Sequence, residues 1–527
     1  MEVLNVIAPL ILLPLVVALV MWRLPKVKEV NHSREFKLRR VMNWLPLGLM
    51  YAFFYMARYN LKVSKFAFEE MTDVAGNALM SNADFSSIFF WGTLTYGISF
   101  LINGPLTDHY GGKKAILVGG GGTAVMTALM GLASYSLLEG VGPSDFLRAN
   151  FVGVFSVLYA INMYFQSFGA VAVVKVNAPW FHIRERGTFG AIFGILISLG
   201  VFLAFDGGYL IVEKLPVYWV FGIPFVVLAI LWVVILLMVE DTPGQAGFED
   251  FHLGDASEDG PRLPVQKVFM KMMSNPIIIT IALIEFCSGF LRQAIMQWYR
   301  TFAKQTDVIL GLKEGFVYEH WGLLLCCAGI MGGVFAGTIS DHIFKSRRGP
   351  VAAVLYGGML IGAILLTLTY QSPLRLTLGD SFSLSIVGGL VVFMSMCVIG
   401  VHGMLSGTAS MDFGGKRNVG VAVGIIDGFV YLGTAVMAIT YGWALPEEQF
   451  DPTGALTGPV TDPANWLPWP AIMIPVALVG FLLATRVWNA KPKSGSAEPP
   501  VVPVEEPVAM LPGAPVSTPQ PFEPPAT

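Results

Sequence analysis

The sequence has little charge. Of its 527 residues, only 13% are Asp, Glu, Lys or Arg, which is roughly half the share of about 25% in soluble proteins. Hydrophobic residues make up 54% of the chain, and the mean hydropathy is +0.64. Such a chain cannot cover a globular surface with polar groups, so its composition excludes a soluble protein. We expect an all-α polytopic membrane protein whose helices form a bundle in lipid.

Cysteine is also scarce, and the motifs of several enzyme classes are missing. The four cysteines all fall in apolar segments and have neither the spacing of a disulfide framework nor that of a zinc site; they are Cys287, Cys326, Cys327 and Cys397. The glycine run at 119–122 lacks the Gly-Lys-Ser/Thr ending of a phosphate-binding loop. No basic run would follow a nucleic-acid backbone. We therefore expect no enzyme activity, no metal, no cofactor and no nucleic-acid partner.

Long apolar segments follow one another along the chain. The first, at 3–22, is long enough to cross a bilayer and lacks the features of a cleaved signal peptide. About twelve more follow it. We expect an extra N-terminal helix with a basic linker (1–40), two six-helix bundles (41–239 and 269–488), a cytoplasmic central loop (240–268) and a disordered Pro-rich tail (489–527).

Lysine and arginine lie in alternate loops, as at Lys113/Lys114, Lys267/Lys271 and Arg347/Arg348, whereas the intervening loops are mostly acidic. By the positive-inside rule, the basic loops face the cytoplasm. We therefore expect an outside N-terminus and a cytoplasmic C-terminus. The expected partners are the lipid bilayer and a small anion, and we expect a monomer.

One arginine lies deep inside the first span of the twelve. Arg58 is ~25 Å along a helix that begins at Val41, and a charge at that depth costs at least ~3 kcal/mol unless it faces water or a partner. Lys62 and Lys65 follow on the same helix face. We interpret this stripe as one wall of an anion site. Two alternatives remain: Arg58 neutralises a buried carboxylate, or both lysines extend to the membrane interface.

The two halves of the chain repeat each other. A segment from Gly104 to Lys114 recurs from Gly337 to Arg348, and 233 residues separate Asp108 from Asp341. The same offset carries Arg58 to position 291, beside Arg292. Parallel repeats of this kind place a substrate site at mid-membrane, between the halves.

These motifs resemble those of a known family. The loop Gly104-Pro-Leu-Thr-Asp108-His-Tyr-Gly-Gly-Lys-Lys114 resembles the signature of the major facilitator superfamily. Further segments resemble its organophosphate:phosphate antiporter family, which includes bacterial glycerol-3-phosphate and hexose-6-phosphate transporters; they include Tyr55-Met-Ala-Arg58-Tyr-Asn60, Phe165-Gln-Ser-Phe-Gly169, Trp180-Phe-x-x-Arg-Glu-Arg-Gly187, Asp241-Thr-Pro243 and Phe290-Leu-Arg292. The resemblance covers roughly residues 40–487. It implies two pseudo-symmetric six-helix bundles in a bacterial inner membrane, exchanging a phosphorylated organic anion for inorganic phosphate by alternating access.

The resemblance also implies the site. Two arginines, matching Arg58 and Arg292, hold the substrate phosphate in that family, and nearby tyrosines match Tyr51, Tyr55, Tyr96 and Tyr431. The chain departs from its close relatives at Phe100, where they carry a lysine, and at Pro179, where they carry a histidine. These departures weaken the case for glycerol-3-phosphate or glucose-6-phosphate as substrate. We hypothesise that Lys62 replaces the missing cation.

Other polar residues fall within the predicted spans. Glu285 lies two turns before Arg292 and is predicted either as its counter-ion or as a protonatable coupling group. Asp427 is predicted either to pair with Lys175 or to take up a proton. Two more residues either line the cavity or are hydrogen-bonded within the bundle, and these are Gln166 and His402.

The repeated loops are predicted to act as conformational latches at the cytoplasmic ends of the helices. Their residues are Gly104, Asp108, Lys113, Lys114, Asp341, Arg347 and Arg348. The glycine pairs Gly190/Gly194 and Gly333/Gly337 are predicted to allow close helix packing.

Two other functions compete with anion exchange. One is proton-coupled symport of another organic anion through Glu285 or Asp427. The other is a membrane sensor of sugar phosphate built on a transporter fold.

Overall fold

Helices make up nearly all of the part of the chain that the structure describes. The computed structural model describes residues 33–489, apart from 74–75, 183–184, 252–264, 345–346, 372–379, 407–409 and 452–454. The predicted first span at 3–22 and all but the first residue of the predicted tail lie outside the described residues.

The first half contains six long helices, most of them uninterrupted. They are α1 (Arg34–Glu69), α2 (Asn82–Tyr110), α3 (Gly112–Glu139), α4 (Phe151–Gln166, continued by Phe168–Asn177), α5 (Arg186–Phe202, continued through the π-helical turn Leu203–Gly207 by Gly208–Lys214) and α6 (Trp219–Met238). Short helical segments lie between or after them, at Ser144–Ala149, Ala178–Trp180 and Gly244–Ala246.

The second half repeats this arrangement. Its long helices are α7 (Pro276–Gln305), α8 (Trp321–Thr338, continued by the π-helical turn Ile339–Ile343), α9 (Arg348–Gln371), α10 (Asp380–Met404), α11 (Ser410–Ala444) and α12 (Pro468–Arg486). Short helical segments lie at Val265–Met273, Asp307–Leu310, Leu312–Glu314, Phe316–Glu319, Gly458–Thr461 and Pro463–Trp466. Two short strands, β1 (Gln449–Phe450) and β2 (Leu456–Thr457), pair antiparallel between α11 and α12.

The number of long helices agrees with the twelve spans predicted after the first. Within the described ranges, ten helices are long and apolar enough to cross a membrane. The apolar part of α8, at Trp321–Gly337, is shorter, and α1 is less apolar because polar residues such as Arg58 and Asn60 interrupt it. We call the end of the bundle that carries the basic loops the inner end, and the opposite end the outer end.

Local signals in the sequence fix several helix ends. At the start of α2, Ser81 and Asp84 form a reciprocal capping box. Between α2 and α3, Gly111 has φ of +95°, which favours glycine. The carboxylate of Asp241 then accepts a hydrogen bond of 2.8 Å from the backbone N–H of Lys113 in the first turn of α3. Burial raises the pKa of the Asp241 carboxyl above its ordinary value, against the lowering effect of that hydrogen bond.

The two halves meet along a glycine-rich seam between α2 and α11. Midway along the seam, a Cβ on Gly97 would lie 2.9 Å from the backbone oxygen of Gly428. Nearer the inner end, Gly104 lies directly against the backbone of Gly420. Real side chains do not fit at such separations, so the two backbones touch. The seam brings one helix of each half into contact over most of its length.

The described glycines of the pairs predicted to allow close packing do not contact a neighbouring helix. A Cβ built on Gly194, Gly333 or Gly337 would meet no atom within 4 Å, and Gly190 lies outside the residues whose side chains are described. Sequence spacing alone could not show which glycine face meets a neighbouring helix.

We expect Gly289→Ala to destabilise the protein, because a Cβ at this position in α7 would collide with the backbone carbonyl of Val430 in α11. The expected loss is ~1–3 kcal/mol, typical of overpacking, measured by thermal unfolding in detergent. Gly333→Ala is the matched control, because its added methyl group meets nothing. Equal stability of the two variants would contradict the close contact of α7 and α11.

Candidate functional site

Arg58 lies at the centre of the bundle and is bonded only to neutral groups. Its Nε donates to Oε1 of Gln166 at 3.1 Å, its Nη1 to the hydroxyl of Tyr431 at 2.5 Å and its Nη2 to the hydroxyl of Tyr96 at 2.6 Å. The residue is 1% exposed. No carboxylate of the described chain forms a salt bridge with it, so the alternative that Arg58 neutralises a buried carboxylate has no support among these residues.

Aromatic rings enclose the Arg58 guanidinium. Its central carbon lies 4.8 Å from the ring centroid of Tyr55, 4.5 Å from that of Tyr96 and 5.3 Å from that of Tyr431. Tyr51 packs edge-on against Tyr55, with centroids 5.5 Å apart. These rings stabilise the cation through their faces while leaving it without a counter-charge.

Phe100 packs against two of the aromatic rings that enclose the Arg58 guanidinium. Its ring stacks on Tyr431 with centroids 5.9 Å apart and lies edge-on to Tyr96 at 4.7 Å. The position at which the resembling family carries a lysine is therefore an apolar wall of the site in this chain.

Arg292 lies in α7 and has unsatisfied donors. It is 6% exposed, and its Nε and Nη2 are buried without any hydrogen-bond partner. Tyr55, Tyr59 and Tyr431 lie within electrostatic range of this guanidinium, and Tyr55 and Tyr431 also face Arg58. The structure thus brings the two predicted arginines to the same group of tyrosines, one from each half of the chain.

Gln166 owes its position to the end of the first segment of α4. The helix breaks at Ser167, and the side-chain amide of Gln166 donates to Oδ1 of Asn162 one turn earlier at 2.7 Å. That bond leaves Oε1 of Gln166 to accept from Arg58.

The two lysines beyond Arg58 point toward the outer end. Lys62 donates to the hydroxyl of Thr301 at 2.5 Å, and its ammonium lies over the rings of Phe85 and Trp298. Lys65 is 0% exposed and forms salt bridges of 2.8 Å with Glu448 and 3.3 Å with Glu69. Both lysines are buried among these partners rather than extended away from the bundle, so the alternative that they extend to the interface has no support among the described residues. Lys62 shares no hydrogen-bond partner with Arg58.

Buried polar residues join the halves at the outer end. Glu448 accepts hydrogen bonds from Lys65, from the side chain of Gln305 at 2.8 Å and from the backbone N–H of Asn82 at 2.8 Å. Lys304 lies 3.9 Å from Glu69. We call these six residues the outer lock: Lys65, Glu69, Asn82, Lys304, Gln305 and Glu448. The sequence reasoning missed it, having used the acidic outer loops only to assign topology.

A second contact between the halves lies nearby. Asp206, in the π-helical turn of α5, accepts hydrogen bonds from the backbone N–H groups of Gly322 at 2.7 Å and Leu323 at 2.8 Å. A carboxylate from the first half therefore caps the N-terminus of α8 in the second.

At the inner end, Asp108 pairs with Lys175 at 2.6 Å. The predicted pairing of Lys175 with Asp427 is therefore wrong, because α4 presents this lysine to α2 within its own half. The other carboxylate oxygen of Asp108 lies against the backbone of Gly420 in α11. Asp108 and Gly104 thus both contact the second half, as a latch requires.

Two of the remaining predicted latch residues, Lys113 and Arg347, bond to residues that do not belong to the opposite half. Lys113 pairs with Glu240 at 3.0 Å, and Lys114 is exposed. Arg347 donates to the backbone oxygen of Phe344 at 3.2 Å, and Arg348 is half-buried. Asp341 lies outside the residues whose side chains are described.

The motif around Trp180 is explained by an ion pair that the sequence reasoning missed. Glu185 accepts two hydrogen bonds from the guanidinium of Arg40, at 2.9 and 3.0 Å. Both side chains are buried. Arg40 also donates to the backbone oxygen of Trp180 at 3.3 Å. No signal in the sequence singles out Arg40 from the neighbouring Arg34, Lys37 and Arg39.

Glu285 and Asp427 bond directly to partners that were not predicted. Oε2 of Glu285 lies 2.8 Å from Nδ1 of His402. Glu285 forms no salt bridge with Arg292, but its charge attracts that guanidinium from two turns away, so its role as counter-ion stays a prediction. Asp427 accepts a short hydrogen bond from the hydroxyl of Ser406. His402 is thus hydrogen-bonded within the bundle.

Comparisons with known proteins agree on one fold. A sequence model of the family described as Major Facilitator Superfamily matches residues 47–438. The glycerol-3-phosphate transporter of Bacillus subtilis is 23% identical, over 88% of this chain and 96% of that protein. A probable hexose phosphate transport protein of Chlamydia trachomatis is 22% identical, over 89% of this chain and 96% of that protein.

A sensor and a solved structure are also similar. A membrane sensor protein of Salmonella typhimurium is 21% identical, over 79% of this chain and 86% of that protein. Among solved structures, a bacterial homologue of the human lysosomal transporter Spinster superposes with a TM-score of 0.57 at 14% identity, covering 88% of this chain and all of that one.

We expect Glu448→Gln to lower stability, because it leaves Lys65 as a buried cation with a weakened partner. Breaking a buried ion pair costs ~3–5 kcal/mol, which thermal unfolding in detergent would detect. The neighbouring Glu447→Gln is the control, since Glu447 is exposed. If both variants unfold at the same temperature, the outer lock does not hold the halves together.

Proposed function

This chain belongs to the major facilitator superfamily, and we propose on that basis that it carries a phosphorylated organic anion across a membrane in exchange for inorganic phosphate. The observation that supports this proposal most directly is the pair of buried arginines. Arg58 is bonded to neutral groups alone, and Arg292 has two buried donors without partners.

The chemistry of the pair suits phosphate. A guanidinium stays charged and presents forked N–H donors that match phosphate oxygens. Leaving such donors buried and unpaired is costly, and a phosphate bound at Arg292 would satisfy them. The hydroxyls of Tyr96 and Tyr431, which now accept from Arg58, can rotate to donate to an anion.

The aromatic walls suit an organic portion of the substrate. Tyr51, Tyr55 and Phe100 offer ring surfaces around the arginines. Two of the similar proteins are named for glycerol-3-phosphate and hexose phosphate. The substrate class that fits these features is a phosphate monoester. The aromatic side chain at position 100 implies a coordination different from that of relatives with a lysine there.

Alternating access follows from where the arginines lie. Arg58 is in the first helix of one half and Arg292 is in the first helix of the other, so an anion held by both would bridge the halves. Two like charges enclosed without an anion repel each other and lose their hydration. The loaded carrier would therefore reorient more readily than the empty one, which favours exchange.

The remaining predicted residues receive roles within this scheme. We propose that Gln166 orients Arg58, and that the contacts of Asp108 and Gly104 with α11 close the inner end, while the outer lock closes the opposite end. Asp341 would repeat the role of Asp108 in the second half. Lys62 would attract the anion from the outer side rather than replace the missing cation at Phe100.

We also propose the setting. The protein would lie in a bacterial inner membrane as a monomer, with its basic loops and C-terminus in the cytoplasm.

The test is counterflow of labelled phosphate in proteoliposomes loaded with phosphate. We expect uptake by the native protein to be stimulated by internal phosphate and inhibited by glycerol 3-phosphate or a hexose phosphate. Arg58→Lys and Arg292→Lys keep the positive charge but lose the forked N–H donors of the guanidinium. Each should therefore weaken phosphate affinity by about 30-fold or more. Arg486→Lys, at an exposed position in α12, is the control and should behave as the native protein.

Absence of stimulation by internal phosphate would contradict exchange. Phosphate binding without any flux would contradict transport and favour a sensor, as in the similar sensor protein.

A further inference from the structure

A second polar cluster lies in the other half of the bundle from Arg58 and has no role in holding the anion as described so far. Glu285 in α7 is 0% exposed, and its Oε2 lies 2.8 Å from Nδ1 of His402 in α10. Asp427 in α11 is also buried and bonded to Ser406. Three helices of one half thus bring two carboxylates and an imidazole together inside the membrane.

The pair of Glu285 and His402 joins a buried carboxyl group to a partly exposed imidazole. The His402 side chain is 20% exposed, whereas that of Glu285 is fully buried. The second carboxylate oxygen of Glu285, Oε1, has no hydrogen-bond partner. Burying an ionised carboxylate in such a place is costly, and a bound proton would offset that cost.

The surroundings of the pair include the substrate arginine. Glu285 and Arg292 lie two turns apart on the same face of α7, ~10 Å along the helix axis, and their charges attract each other. Asp427, on α11, interacts electrostatically with His402, Glu285 and Arg292. The other titratable groups that face Glu285 are Cys287 on its own helix and Tyr356 on α9, whose hydroxyl donates to the backbone of Ile284. Arg292 is the one permanent cation among these groups in the described part of the chain.

The two protonation states of the pair follow from its geometry. A distance of 2.8 Å between Nδ1 of His402 and Oε2 of Glu285 places one proton between the two atoms. The pair then has a charge of −1 when Nε2 of the ring is unprotonated and is neutral when Nε2 carries a proton. One proton from water, added at Nε2 on the partly exposed ring, makes the pair neutral. No other bond is formed or broken.

We propose that Glu285 and His402 form a proton-binding site linked to the anion site, so that the pair takes up a proton when a phosphate monoester binds at Arg292. This inference rests on the proposed function. In its charged state the pair attracts Arg292 and opposes an incoming anion. In its neutral state it leaves the full charge of Arg292 to the anion. Linkage is reciprocal, so the bound anion favours the protonated pair, and anion affinity rises as pH falls.

Proton uptake also changes the net charge of the loaded bundle that reorients in each half of the transport cycle. A phosphate monoester bound with a proton presents one negative charge fewer to the reorienting bundle than the monoester alone. Asp427 keeps the site from becoming strongly positive when the pair is neutral.

The experiment is calorimetric titration of the purified full-length protein in detergent. Inorganic phosphate and glycerol 3-phosphate are the probes, at about pH 8, where an ester with a second pKa near 6 is already a dianion. Repeating each titration in buffers of different ionisation enthalpy counts the protons taken up. We expect net proton uptake by the native protein with both probes.

Glu285→Gln keeps the shape and the hydrogen bond but removes the charge. We expect this variant to bind glycerol 3-phosphate about 5–150-fold more tightly than the native protein at that pH, the usual range of coupling between sites, with proton uptake lost. His402→Gln should also lose the uptake, because it removes the proton acceptor. Cys287→Ser, on the same helix beside Glu285, is the control and should keep native uptake and affinity.

The outcomes separate this inference from the proposed function. If the native protein binds both probes without proton uptake, or if Glu285→Gln retains the native uptake and pH dependence, the linked site is ruled out while anion binding stands. If neither probe binds the native protein or any variant, the proposed function fails and the linked proton site fails with it.

Discussion

The structure depends on keeping permanent positive charges inside a membrane without permanent partners. Arg58 is stabilised by three neutral hydrogen bonds and three aromatic faces, and Arg292 keeps unbonded donors. A carboxylate beside Arg58 would stabilise the buried cation, but it would also compete with any other anion for that cation. The tyrosines and Gln166 solve this problem, because they hold a cation in place while leaving its charge uncompensated.

The distribution of acidic residues follows from the same constraint. Carboxylates that join the halves are placed at the ends of the helices, where Glu448 meets Lys65 and Asp206 meets the start of α8. At the opposite end, Asp108 pairs with Lys175 and contacts the backbone of α11. The carboxylates nearest the centre, Glu285 and Asp427, are bonded to uncharged or titratable partners instead. Strong ion pairs thus lie at the ends of the helices, whereas the carboxylates near Arg292 are bonded to uncharged or titratable groups.

Much of this arrangement could be predicted from the sequence. Twelve helices, their order and the burial of Arg58 follow from hydropathy and the cost of an intramembrane charge, and the internal repeat points to Arg292. The partners of Lys175, Glu285 and Asp427 could not be predicted, because helix rotation and the choice among neighbouring helices depend on three-dimensional packing. The bond between Lys65 and Glu448 joins residues 383 positions apart, and the capping of α8 by Asp206 depends on a local π-helical turn. No periodicity in the sequence encodes either contact.

The seam between α2 and α11 has a consequence for how the sequence can drift. Gly97, Gly104, Gly420 and Gly428 let two backbones touch, so even a single methyl group is too large at these positions. The sides of the helices that face lipid accept any apolar residue of suitable volume. Mutational tolerance is therefore unevenly distributed in this protein, because the seam admits only glycine while the lipid-facing positions admit apolar side chains of many shapes.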